Sequence, residues 1–141
     1  MSDSEVPVTV FGYSSDDIDP TRAKKVTNLC RTDIIKAAVQ TVRSGGENNL
    51  HSHPNRDEIF FVLGGRLRLY STDDEVIADI GRHEGVLIPR GFPYWFESVG
   101  DDVLELLQVA AADTPSKLTG PFGGRSNHEP RVKGRAEDRL V

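Results

Sequence analysis

The chain has 141 residues and a formal net charge of −5, from 17 basic and 22 acidic residues that are interspersed along the sequence. This length predicts one domain, and the absence of a basic stripe argues against a nucleic-acid partner. Cys30 is the only cysteine, no long apolar run is present, and the N-terminus is polar. We therefore expect a cytoplasmic protein without disulfides or a membrane partner, acting on a small molecule.

The N-terminal third predicts two strands. Alternating β-branched residues over 6–12 indicate an opening strand, and the acidic stretch 14–21 indicates a loop or a single helical turn. We assign residues 1–33 to an N-terminal strand and loop. Residues 34–42 alternate as a strand, with Lys36 and Gln40 on one face and Ile35, Ala37 and Val39 on the other.

A loop over 44–49 then leads to His51 and His53, which stand one residue apart and just before Glu58. Residues two apart on an extended chain point the same way, so both imidazoles can converge on one ion. Two histidines and one carboxylate suit a borderline divalent metal and leave coordination positions open. This trio predicts a metal site that performs chemistry.

The next strand, over 59–63, is apolar on both faces. If Glu58 points inward, strand parity places Phe60 and Val62 in the interior and Ile59 and Phe61 outside. An apolar outer face needs a cover, and a second subunit would supply it. We therefore expect a homodimer, with covering by loops of the same chain as the alternative.

Further short strands follow at 66–70, 76–80, 86–88, 94–98 and 103–110, separated by turns, and we find no helical stretch. This pattern predicts an all-β sandwich or barrel. Residues 113–141 are rich in Pro and Gly and carry few apolar side chains, so we expect a flexible C-terminal tail.

The spacing of the central residues resembles the first motif of the cupin superfamily: Gly45, five residues, His51, one residue, His53, four residues, Glu58, six residues, Gly65. A second motif is only partly kept. Residues 88–93 fit its Pro-x-Gly turn, but Tyr94 stands where the family has a histidine and Ser98 where it has an asparagine. The resemblance implies a double-stranded β-helix, or jelly-roll barrel, over 34–112.

The resemblance also implies one divalent metal ion, Fe(II) first with Mn, Ni or Zn as alternatives, bound by His51, His53 and Glu58 with Tyr94 as a conditional ligand. Tyr94 and Glu58 would be the catalytic groups, because either can move a proton beside the metal. The substrate pocket would be lined by Phe60, Phe96, Gln40 and Gln108.

Several activities stay open at this point, because a fold does not choose among them. The first is a non-haem metal dioxygenase, followed by a cyclase, isomerase or lyase. A non-catalytic module that binds a small molecule is an alternative from another class. A metal-free cupin similar to sugar-nucleotide epimerases is a further one, and it would pair His51 or His53 as a base with Tyr94 as an acid.

Overall fold

The computed structural model of the protein describes residues 7–112 and 125–128. Across these two ranges the secondary structure consists of strands and two short 3-10 turns, at Ser15–Asp17 and Thr72–Asp74, with no α-helix. The strands are β1 (Lys24–Arg31), β2 (Ile35–Val42), β3 (Gly46–Ser52), β4 (Arg56–Gly64), β5 (Arg66–Tyr70), β6 (Val76–Gly81), β7 (Gly85–Ile88), β8 (Tyr94–Ser98), β9 (Leu104–Ala112) and β10 (Ser126–Asn127). The predicted all-β class is confirmed.

The strands form two five-stranded antiparallel sheets. One has the order β1-β2-β9-β4-β7 and the other β10-β3-β8-β5-β6. Their inward faces enclose a buried core made by Val42, Phe60, Val62, Leu67, Leu69, Ile88, Tyr94, Phe96, Leu104 and Leu106. Two packed antiparallel sheets around one core are the jelly-roll barrel that the sequence predicted.

The inward and outward faces of β4 follow the predicted parity. Glu58, Phe60 and Val62 point inward and are almost completely buried, whereas Ile59 is 48% exposed. A strand of period two explains this pattern because successive side chains lie on opposite faces of a sheet. The same parity places Arg56 on the inward face, beside Glu58.

Two glycines of the first motif hold the turns that surround the site strands. Gly45 precedes β3 and Gly65 separates β4 from β5, and both have positive φ, at 77° and 79°. Such a conformation favours glycine because a side chain would meet its own backbone. At Gly65 a Cβ would also clash with the backbone of Val103 and Leu104.

The N-terminal prediction was wrong in its placement of the first strand. Residues 7–12 form no strand, and Val8 and Val10 are more than 90% exposed, because no neighbouring strand pairs with them. The first strand is instead β1, which pairs with β2 and is part of the first sheet. It lies inside residues 1–33, the segment assigned to an N-terminal strand and loop. The predicted loop over 44–49 also differs, since β3 begins at Gly46.

Most of the predicted C-terminal tail, residues 113–124 and 129–141, lies outside the described residues. Within it, Ser126 and Asn127 form β10, which pairs with Ser52 and His51 of β3. In the part of the chain that the structure describes, no helix is long and apolar enough to cross a membrane.

Candidate functional site

The pairing of β3 with β8 brings the first predicted ligands together. His51 lies directly opposite Tyr94 in the register, and their ring centroids are 4.4 Å apart. The rings of His51 and His53 meet edge to face at 4.9 Å. All three side chains are at least 94% buried. His51 donates from Nδ1 to the Asn49 carbonyl at 2.8 Å, which leaves the lone pair of the ring on Nε2.

Glu58 completes this cluster from the opposite sheet, and both of its carboxylate oxygens accept hydrogen bonds. The Tyr94 hydroxyl donates to Oε1 at 2.7 Å. Arg56 donates to Oε2 at 2.9 Å, and the Gln108 amide also donates to Oε2. Three donors on one buried carboxylate compensate the loss of water around its charge.

Arg56 bridges two of the predicted metal ligands. Its Nη2 lies 2.9 Å from His53 Nε2 and 2.9 Å from Glu58 Oε2. Because a guanidinium can only donate, His53 Nε2 is the acceptor and the imidazole is neutral, with its proton on Nδ1. A side-chain cation therefore stands against the same atoms that would ligate a metal ion.

The donor types of His51, His53, Glu58 and Tyr94 suit a divalent metal, but the observed arrangement does not fit one. Within 7–112 and 125–128, no group of three or more His, Cys, Asp or Glu side chains is placed to hold a metal ion. The lone pairs of His53 and Glu58 that would bind it accept hydrogen bonds from Arg56. Ligation by these two residues would require Arg56 to leave both.

A chain of two amides runs from Glu58 toward the barrel interior. Gln108 donates to the Glu58 carboxylate, and Gln40 donates from Nε2 to Gln108 Oε1 at 2.7 Å. A carboxylate can only accept, so it fixes the orientation of both amides in turn. The carbonyl oxygen of Gln40 is the end of this chain, and it is buried without a hydrogen-bond partner.

A cavity of about 240 Å³ lies on the inward face of the first sheet, against this network. It is lined by Lys24, Val26, Lys36, Ala38, Gln40, Arg56, Gln108 and Ala110. Three lining residues are cations and none is acidic. Partial burial, with the charges of Arg31 and Arg56, lowers the pKa of Lys36 below its ordinary value, while the charge of Glu58 opposes this shift.

The structure places the predicted pocket residues in two different surroundings. Gln40 and Gln108 line the cavity. Phe60 and Phe96 do not; they meet edge to face at 5.5 Å within the packed core. Both aromatic side chains are fully buried; Phe60 also meets Tyr94 edge to face at 5.8 Å, and Lys24 Nζ lies over the Phe96 ring at 6.0 Å. They therefore support the floor of the site rather than contact a ligand.

Six of the eight cavity residues were not predicted from the sequence, among them all three charged ones, Arg56, Lys36 and Lys24. Parity was a usable signal for two of them, because Arg56 shares a face with Glu58, and Lys36 shares one with Gln40. Lys24 lies on β1, which was not predicted, so no signal pointed to it.

Comparison with known families decides the fold family. The model of the cupin domain family matches residues 38–110, about half of the chain and the part that carries every site residue except Lys24, Val26 and Lys36. The chain belongs to the cupin family. No curated protein matches this cupin at a significant level.

Solved structures of other proteins share its fold at low sequence identity. A double-stranded β-helix protein from Klebsiella pneumoniae is 15% identical, with a TM-score of 0.65 over 83% of this chain and 96% of that one. The cupin domain of Schizosaccharomyces pombe Cnp3 is 19% identical, with a TM-score of 0.61 over 72% and 69%. A Tyr-to-Phe variant of Streptomyces PAC13 with uridine is 12% identical, with a TM-score of 0.61 over 89% and 95%.

Proposed function

We propose that this cupin is an acid–base enzyme of the isomerase or lyase type, acting on a small organic molecule held in the cavity. One observation carries the proposal. Glu58 Oε2 lies between Arg56 and Gln108, and both of these residues line the cavity. The carboxylate therefore stands one hydrogen bond behind the cavity wall, with Tyr94 on its other oxygen.

In this proposal Glu58 Oε2 takes a proton from a carbon next to a substrate carbonyl. The electron pair of the broken C–H bond moves to the carbonyl oxygen, where the Arg56 guanidinium stabilises the developing negative charge. The substrate oxygen takes the place of Glu58 as the partner of Arg56. Tyr94 holds Oε1, so that the carboxylate keeps its orientation while Glu58 carries the proton. Glu58 returns the proton to a substrate carbon in an isomerisation, or to the group that leaves the neighbouring carbon as the enolate collapses in a lyase reaction.

The surroundings of the pair suit proton transfer. Glu58 and Tyr94 are each 2% exposed, so little water competes for the proton. Streptomyces PAC13, which shares this fold, has been solved with uridine in two variants, one Tyr to Phe and one His to Gln. That neighbour supports a small organic molecule as the kind of ligand that this fold can accompany.

Hydrogen exchange with solvent tests the proposal. Chelator-treated protein in D₂O is incubated with a panel of small oxo acids and ketones, and loss of the C–H signal is followed by NMR. We expect exchange of at least one compound by the wild type and its loss, by about 10²-fold or more, in Glu58→Gln. Arg90→Met is the matched control, since Arg90 forms an exposed ion pair with Asp57 outside the cavity.

A metal-dependent cupin enzyme, with a dioxygenase first among its activities, is the second candidate. The tautomer of His51 favours it, because metal-bound histidines commonly donate their other ring N–H to a backbone carbonyl. This candidate predicts about one Fe, Mn, Ni or Zn per chain in anaerobically purified protein, lost in His51→Ala/His53→Ala. Exchange or turnover that appears only after metal is restored would favour it over the first proposal.

A further inference from the structure

We propose that the cavity recognises a small organic anion that also carries a hydroxyl or amide hydrogen-bond donor, as hydroxy acids do. This inference rests on the proposed function, because it names the substrate class of the same cavity. Two independent observations carry it. The wall is cationic without an acidic residue, and one of its residues, Gln40, has a buried oxygen atom that lacks a donor.

The cationic wall predicts the anionic group. Among the described residues, neither Lys24 nor Lys36 makes an ion pair or a hydrogen bond, although Lys24 Nζ lies over the Phe96 ring at 6.0 Å; Arg66 and Arg68 on the outer surface both pair with Asp79. Register places Lys36 in line with Glu58 across β2, β9 and β4, so its side chain faces the barrel interior. A carboxylate or phosphate between these ammonium groups and Arg56 would supply the missing counter-charge.

Gln40 predicts the donor group. Gln40 is 7% exposed and lines the cavity, and its Oε1 is buried without a hydrogen-bond partner. The amide cannot turn over without losing its bond to Gln108, whose own orientation is fixed by Glu58. An unsatisfied buried carbonyl is costly, so a ligand hydroxyl or N–H at this oxygen would gain affinity over an analogue that lacks it.

The volume sets the size of the ligand. At about 240 Å³ the cavity is smaller than the roughly 300–1,000 Å³ of pockets for drug-sized molecules. A compact acid therefore fits better than a nucleotide or a long chain. L-malate and glycerol 3-phosphate serve as probes of the two anionic groups, and succinate and propyl phosphate are their counterparts without a hydroxyl.

Calorimetric titration of the full chain with these four compounds tests the inference. We expect at least one hydroxylated probe to bind with a Kd below about 1 mM and at least tenfold more tightly than its counterpart. Lys36→Met should weaken that binding on the order of tenfold. Lys25→Met is the matched control, because it removes the same charge from the neighbouring position of β1, which does not line the cavity.

In Gln40→Leu the hydroxylated probe and its counterpart without a hydroxyl should bind with about equal Kd, while the anion still binds. If this variant does not fold, the preference measured on the wild type still tests the donor argument. Failure of both hydroxylated probes to bind folded wild-type protein, or unchanged binding by Lys36→Met, would overturn the inference. Binding without proton exchange would refute the proposed function alone, and exchange on neutral ketones without anion binding would refute this inference alone.

Discussion

Replacing Arg56 by methionine tests the central interaction of the site. The side chains of Arg56 and Glu58 are 11% and 1% exposed, and their atoms lie 2.9 Å apart. Removing one partner of a buried ion pair costs about 3–5 kcal/mol, because the other charge stays buried without compensation. Glu58 keeps donors from Tyr94 and Gln108, so we expect the low end, about 3 kcal/mol of unfolding free energy.

Urea unfolding of the wild type, Arg56→Met, Glu58→Gln and the double variant measures this effect. We expect a coupling energy of about 2 kcal/mol, because Arg56→Met costs less once the carboxylate is neutral. Arg90→Met, which breaks an exposed pair with Asp57, should cost less than about 1 kcal/mol. A cost for Arg56→Met as small as that of Arg90→Met, or additive single effects, would refute the reasoning.

The same variant tests whether Arg56 stands in place of a metal ion. Without the guanidinium of Arg56, the lone pairs of His53 and Glu58 that now accept its hydrogen bonds become available to a metal ion. Ni²⁺ at about 100 times its Kd should then stabilise Arg56→Met by about 2.7 kcal/mol. Arg56→Met/His53→Ala is the control and should gain much less. Equal stabilisation of the wild type by Ni²⁺ would show that Arg56 does not oppose metal binding.

Three further predictions concern a charge, a hydroxyl and a surface. Since the pKa of Lys36 is lowered, its charged form destabilises the fold; this penalty is absent above the unfolded pKa of about 10.4 and reaches its full size as the pH falls through the folded value. Lys36→Met should therefore unfold at a higher temperature than the wild type at pH 7, and the difference should shrink toward pH 10; a constant difference would contradict this. Tyr94→Phe should cost about 1–3 kcal/mol in urea unfolding, because a buried oxygen of Glu58 loses its donor. Ile59 and Leu87, paired on the outer face of β4 and β7, are 48% and 67% exposed. Light scattering should give a dimer mass for the wild type and a monomer mass for Ile59→Asp/Leu87→Asp, and a monomeric wild type would disprove the predicted homodimer.

Much of the barrel could be predicted because its strands carry strong local signals. The strands from β5 to β9 begin and end within two residues of their predicted bounds, since turns of Gly, Pro and Asp separate them, and β4 begins three residues before its predicted start. Parity along β4 correctly placed Glu58, Phe60 and Val62 inside. The motif spacing correctly predicted that His51, His53 and Tyr94 lie at one site. Spacing along the chain fixes where the backbone places these residues, whatever their side chains are.

The remaining features depend on tertiary contacts that no local pattern reports. Residues 7–12 have strand propensity but no partner, whereas the polar sequence of β1 becomes a strand because β2 offers an unpaired edge. Phe60 and Phe96 were assigned to the pocket from their inward direction alone, yet the depth of a side chain in the barrel decides whether it meets ligand or core. Arg56 was overlooked because the metal motif assigns no role to the position two residues before Glu58.

The short strand β10 determines what kind of edge the second sheet presents. It covers the outer side of β3, where the His128 N–H donates to the Leu50 carbonyl at 3.0 Å and the His128 ring bonds Ser52 Oγ at 2.8 Å. A chain ending at Ala112 would leave β3 as an open edge with unpaired backbone groups, the kind of surface on which strands of other molecules add. Residues 125–128 thus protect the strand that carries His51 from intermolecular pairing, which makes solubility after truncation depend on these four residues.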